Sequence, residues 1–150
     1  MRIVRLRKVH VDAAAAVLDR TYFHDLEKAR AWIRAEPSKK RPLRWLVALK
    51  GDEVVGLLGY QQDYSHHANY VSDLAVKKGH RREGTGTALL RRFVEECRKE
   101  QPTKQRYCLS STQVSNRASI RLHQESGFKE MGILKGLHYG QDEMFFGYRL

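Results

Sequence analysis

The sequence predicts a single α/β (α+β) domain built on one mixed sheet, with about seven strands and about four helices. Three observations carry that expectation. Residues 45–60 spell a hairpin: Trp45-Leu46-Val47-Ala48-Leu49, a turn at Lys50-Gly51-Asp52-Glu53, and a returning strand from Val54 to Tyr60. A strand near Tyr70 to Val76 then runs through a basic, glycine-rich turn into a helix with Leu89, Leu90, Phe93, Val94 and Cys97 on one face. The 150 residues, 41% hydrophobic and 30% charged, suit one globular unit that buries a core without metal or disulfide.

In chain order, Ile3 to Arg7 alternates apolar and basic residues as a half-buried strand does. Asp12 to Leu18 reads as a short helix, and Asp25 as the cap of a second one carrying Leu26, Ala29, Trp32 and Ile33. Pro37-Ser38-Lys39-Lys40-Arg41-Pro42 reads as a surface loop leading to the hairpin. Trp32 and Trp45, both in apolar stretches, are expected in the core. After the central helix comes a short strand, Tyr107 to Ser110. A helix from Asn116 to Ser126 follows, closed by Gly127 in the left-handed conformation. Phe128 to Leu134 and Glu143 to Leu150 are the last two strands. No repeat or linker divides the chain, so residues 1–150 are expected to be one domain.

Lysine and arginine number 28 against 17 acidic residues, a formal charge of +11, which favours phosphate-bearing or otherwise acidic partners. Cys97 and Cys108 form neither a disulfide framework nor a paired metal motif and are expected as buried thiols. No apolar run approaches the ~20 residues of a membrane span. The charged start Met1-Arg2-Ile3-Val4-Arg5 is unlike a signal peptide, and a cytoplasmic location is expected.

The turn between Val76 and Leu90 is an anion site by construction, because free amides at a helix start converge on it and the helix dipole favours negative charge. Gly84 and Gly86, lacking a Cβ, would let a phosphate approach their amides. Two nucleotide motifs fail here. Thr85 stands where a Walker loop needs lysine, and a dinucleotide fingerprint starting at Gly84 breaks at Leu89. What remains is R-x-x-G-x-G, written by Arg81, Gly84 and Gly86.

That pattern resembles the acetyl-CoA loop of the GNAT N-acetyltransferases. The resemblance extends to Asn116-Arg117-Ala118-Ser119-Ile120-Arg121-Leu122-His123-Gln124-Glu125-Ser126-Gly127-Phe128, where an Asn opens a helix and a Gly-Phe pair ends it. Its wording is most similar to the phosphinothricin-type branch of small-amine acetyltransferases. The resemblance implies a mostly antiparallel sheet splayed at its centre and acetyl-CoA as co-substrate. It places the pyrophosphate on Arg81, Arg82, Glu83, Gly84, Thr85, Gly86 and Thr87. It sets the pantetheine arm along Leu74, Ala75 and Val76, with Asn116, Ser119 and His123 on the far side.

Acetyl transfer to an amine needs a proton removed from the amine and a leaving thiolate stabilised or protonated. The family's usual acid is a tyrosine seven residues after the helix Asn, a position held here by His123. A histidine on that helix reads either as this acid or as a satisfied core group. Some relatives carry a Glu-Asp pair on the strand before the loop; here it is Ser72-Asp73, leaving Asp73 to orient or deprotonate the amine, or to bridge a basic neighbour. Another relative's base would fall on Ser110, which cannot serve. A water chain, His66, His67 or Glu143 are the other candidates. Tyr64, Tyr70, Tyr139 and Gly140 flank the expected acceptor side. The paired histidines have no third ligand at metal spacing.

The leading expectation is an acetyl-CoA-dependent N-acetyltransferase acting on a primary amine, a small molecule before a protein, as a monomer or homodimer. A surface this positive disfavours a polyamine and welcomes a carboxylate or phosphate. Two alternatives stay open: an RNA-linked amine such as aminoacyl-tRNA, and a non-catalytic acyl-CoA- or nucleic-acid-binding module. The first is motivated by Arg2, Arg5, Arg7, Lys8, Lys39, Lys40, Arg41, Arg91 and Arg92 outside the loop. The second is motivated by the departures at Ser72 and His123.

Overall fold

The computed structural model describes residues 1–34, 43–65, 67–100 and 106–150. The expected loop Pro37–Pro42 and His66 lie outside them. Seven strands form one sheet: β1 (Arg2–Arg5), β2 (Leu43–Lys50), β3 (Glu53–Ser65), β4 (Ala68–Val76), β5 (Tyr107–Gln113), β6 (Lys129–His138) and β7 (Gln141–Arg149). The helices are α1 (Val11–Leu18), α2 (Leu26–Arg34), α3 (Thr85–Glu100) and α4 (Arg117–Glu125). The spatial order β1-β2-β3-β4-β5-β7-β6 is antiparallel throughout except between β4 and β5.

Each face of the sheet has its own core. On one, α3 packs Leu89, Leu90, Phe93, Val94 and Cys97 against Leu46, Leu58, Tyr60, Val71, Cys108 and Phe146. On the other, Ala14, Ala15 and Leu18 of α1 and Ala29 and Ile33 of α2 cover Trp45, Val47, Leu57 and Ala75. The alternation read from the hairpin sends these residues to opposite faces, so the central strands bury both sides. Cys97 and Cys108 are buried free thiols. Trp45 is in the core, and it explains Gly59: a Cβ there would meet the Trp45 ring at 2.6 Å.

Trp32 corrects an expectation. It is 40% exposed at the rim of α2, its indole N–H donating to Asp73 Oδ2 at 3.0 Å. The helical stripe alone could not tell a core position from a rim position facing a polar group on β4.

A second departure is a bulge. Gly59 pairs with Asp73 but Tyr60 with Val71, which leaves Ser72 without an opposite residue. The bulge restores Val71 and Leu74 to the same core while Asp73 faces α2.

Candidate active site

The site begins where the sheet parts. β4 and β5 pair only through Ala68–Tyr107, Asn69–Cys108 and Tyr70–Leu109. Beyond Tyr70, β4 keeps only β3 as a neighbour, and beyond Leu109, β5 keeps only β7. The strands fork, and the N-termini of α3 and α4 follow from the open ends of the fork. Carbonyls of β4 face the opening. Leu74 O accepts the Tyr22 hydroxyl at 2.6 Å, and Val76 O accepts Arg81 Nε–H at 3.2 Å. Sequence reasoning missed Tyr22. It is delivered by one π-helical turn, Asp19–Phe23, that ends on His24 at φ 50°. Burial raises its hydroxyl to about 12, so it stays a donor.

The turn after β4 is built as an anion cradle. Gly84 at φ +79° caps α3, its carbonyl accepting Ala88 N–H at 3.0 Å, so the amides of Thr85, Gly86 and Thr87 are the free first-turn donors. Gly86 also meets a steric demand of the fold. A Cβ there would lie 2.9 Å from Leu122 Cδ2, so the glycine lets α4 pack onto α3. The Glu83 carboxylate is turned to the scaffold, held below the usual range by Lys50 at 3.2 Å and His80 at 3.3 Å. Lys77 pairs with Glu53. Among the described residues Lys78, Arg81 and Arg82 have no ion-pair partner, and they supply the loop's uncompensated charge. Thr85 is buried, with its hydroxyl toward His80 O at 3.5 Å.

Across the fork, Asn116 Oδ1 accepts Ser119 N–H at 3.1 Å and caps α4. Its side-chain NH2 is left as a donor at the exposed helix start. On the sheet face beneath α2, Asp73 Oδ2 takes both Trp32 N–H and the Ser72 hydroxyl at 2.8 Å. Burial pushes the Asp73 carboxyl above the ordinary carboxylate value, and these two bonds oppose the shift. The same face carries a chain of hydroxyls across three strands: Tyr70 Oη to Ser111 Oγ at 2.7 Å, and Ser111 O–H to Glu143 Oε1 at 2.7 Å. Tyr64 stacks on Tyr70 with centroids 4.8 Å apart. Tyr139 is fully outside, 96% exposed.

His123 is 2% exposed, stacked on Phe146 at 4.8 Å and edge-on to Phe128 at 5.7 Å. Nδ1–H donates to Ser119 O at 2.7 Å, which fixes the tautomer, and Nε2 accepts from Ser110 Oγ–H at 2.7 Å. Burial lowers its pKa, against the Ser119 bond. Both ring nitrogens are thus engaged inside the fold. The seven-residue spacing sets it on the inner face of α4, where its one proton is held by a carbonyl.

Residues 11–128 match the acetyltransferase (GNAT) family. The chain belongs to that family. Its fold matches solved N-acetyltransferases over nearly the whole length. A ribosomal-protein-alanine N-acetyltransferase from Brucella melitensis is 25% identical, with TM-score 0.78 and 100% of each chain covered. A spermidine N-acetyltransferase from Vibrio cholerae, solved as a point mutant, is 13% identical with TM-score 0.82, covering 99% of this chain and 95% of that one. An aminoglycoside 6'-N-acetyltransferase complexed with coenzyme A is 15% identical with TM-score 0.76, covering 99% and 97%. No curated protein sequence is significantly similar. Members of the GNAT family use acetyl-CoA, and the fork, the α3 amides and the free Lys78 and Arg82 of this acetyltransferase fit such a ligand.

One residue of the cradle allows charge and stability to be separated. Arg82 sits at φ 64°, a conformation that costs an L-residue roughly 1 kcal/mol. Arg82→Gly relieves that cost and adds unfolded-state entropy of about the same size. The melting temperature is therefore expected to stay nearly constant while coenzyme A affinity falls roughly tenfold, the loss of one charge-assisted contact. Calorimetric titration beside a thermal melt checks both halves. Of the basic residues outside the loop, Arg5 and Arg92 are already engaged by Glu96.

Proposed function

We propose that this GNAT protein transfers the acetyl group of acetyl-CoA to a primary amine by direct attack of the amine on the thioester. The fork between β4 and β5 carries this reading, since it opens toward the free amides of α3. Acetyl-CoA, when bound, supplies an activated acyl carbon. Around it, the amides of residues 82–87 with Arg81, Arg82 and Lys78 hold the phosphates. The β4 backbone at Leu74–Val76 and the Asn116 side chain orient the pantetheine arm; Ser119 and His123 shape its far wall.

Tyr22 and Arg81 now occupy the two β4 carbonyls, and they exchange those bonds for the arm. Asp73 orients the acceptor ammonium with its second oxygen, the first being committed to Trp32 and Ser72. His123 keeps Ser110 and the fork rigid. No acid is required of it, because a thiol with a pKa near the ordinary ~8.5 leaves readily as thiolate.

The structures of similar fold include enzymes named for ribosomal-protein alanine, aminoglycoside and spermidine acetylation, so the acceptor panel is an alanyl peptide, an aminoglycoside and spermidine. The first test is a thermal-shift titration with acetyl-CoA, coenzyme A and ATP. A ligand at about 100-fold its dissociation constant adds about 2.7 kcal/mol, and the shift is expected with the coenzyme and not with ATP. Equal, salt-sensitive shifts with all three would overturn the reading. On the panel, Asp73→Asn is expected to lower kcat/KM by about ten- to a hundredfold through the acceptor's KM, the worth of one hydrogen bond to a charged group.

A further inference from the structure

Glu143 is a buried carboxylate with no part in the transfer chemistry proposed so far. It stands on β7 opposite Gln113 of β5 and is 8% exposed. Its Oε1 accepts the Ser111 hydroxyl, and among the described residues nothing donates to Oε2, although that atom is fully buried. Ser111 spends its one proton on Glu143, so the Tyr70–Ser111 contact has a single polarity: Tyr70 O–H donates to Ser111 Oγ. The three side chains form a directed chain, Tyr70 to Ser111 to Glu143, across β4, β5 and β7. Its outer end is Tyr70, the last β4 residue paired with β5 before the fork.

We propose that Tyr70, Ser111 and Glu143 form a proton wire that deprotonates the acceptor ammonium. This deepens the transferase reading and rests on it. The ammonium gives a proton to Tyr70 Oη as the Tyr70 proton passes to Ser111 Oγ and the Ser111 proton to Glu143 Oε1. The N–H bonding pair stays on nitrogen, ammonium becomes amine, and the carboxylate becomes a carboxylic acid. The proton returns along the same chain when product leaves and water re-enters. Tyr70 is the member that touches substrate; Ser111 and Glu143 act through it as positioning residues. The groups facing Tyr70 are Tyr64 from β3, Asp73 from its own strand and Glu143 from β7. Burial, with Glu143, Tyr64 and Asp73, raises its pKa against the Ser111 bond, so the hydroxyl stays protonated, as a relay requires.

The wire places the base on β7, at the Glu143 already named among the candidate bases. It is tested with Glu143→Gln, which keeps the shape and an acceptor for Ser111, and with Tyr70→Phe. Both are assayed on whichever acceptor of the panel the wild-type chain acetylates. Each is expected to lower kcat about a hundredfold, the usual worth of proton transfer, with the acetyl-CoA thermal shift unchanged. The acidic limb of the kcat–pH profile disappears in Glu143→Gln, and the double variant is no worse than either single one.

Retention of kcat within about threefold in Glu143→Gln, or multiplicative losses in the double variant, overturns the wire. An acceptor-free readout covers the remaining case. By ultraviolet titration, Glu143→Gln lowers the pH at which Tyr70 ionises, and no change overturns the wire. Failure of the transferase reading looks different: there the wild-type chain shows no thermal shift with acetyl-CoA.

Discussion

His123→Ala is expected to cost about 2–4 kcal/mol of stability, because it opens a cavity between Phe128 and Phe146 and strands the Ser110 hydroxyl in the core. A chemical-denaturation series measures this directly. Assayed well below its melting temperature, the variant is expected to keep kcat within about tenfold, the outcome for a ring that supplies no proton to the thiolate. A hundredfold loss of kcat in a chain of unchanged stability would instead make His123 the acid. The pH dependence carries the same distinction. The folded pKa lies below the ordinary value because the ring is buried, so the unfolded chain binds the extra proton first. Stability is thus fully present above about pH 6.5 and declines as pH falls from there toward the folded pKa. That slope should shrink in the alanine variant to the part left by His10, whose pKa burial also lowers.

What could be read from the sequence was whatever depends on near neighbours. The hairpin came from apolar runs around Gly51, and the face of α3 from the spacing of Leu89, Phe93 and Cys97. The end of α4 came from Gly127, at φ +86°, where Phe128 N–H reaches back to His123 O at 3.0 Å. Even Glu143 was visible as one candidate base among several. Its partnership with Tyr70 was not, because it depends on the register of β4, β5 and β7, whose residues are 32 and 41 positions apart along the chain.

The same limit hid the Ser72 bulge, which strict alternation conceals, and the rim position of Trp32. Tyr22 was hidden by a π-helical turn that no local pattern signals. Gly86 shows a subtler gap. Glycine also suits the fold there, and that steric reason lies in α4, 36 residues away.

Glu96 ties the outermost strand to the helix that carries the cradle, and its removal is expected to show how much the site depends on that anchor. The side chain is 2% exposed on α3; Oε2 accepts from Arg5 Nε of β1 at 3.0 Å, and Oε1 pairs with Arg92 at 2.8 Å. Burial works to raise its pKa, yet the hydrogen bonds and charge of Arg5, with Arg92 behind them, hold it below the usual range. Breaking a buried pair typically costs 3–5 kcal/mol, but both arginines are partly exposed and can rehydrate, so Glu96→Ala is expected to cost about 2–3 kcal/mol. Urea titration reads that loss as a shift of midpoint at constant slope. For a lowered carboxyl the contribution is complete above the unfolded value near 4.3 and disappears as pH falls through the folded one. Acid unfolding of the wild-type chain should therefore steepen below about pH 4.3, and Glu96→Gln should flatten it. An unchanged acid limb would mean that Arg5 and Arg92 are held by their surroundings and that the carboxylate adds shape alone.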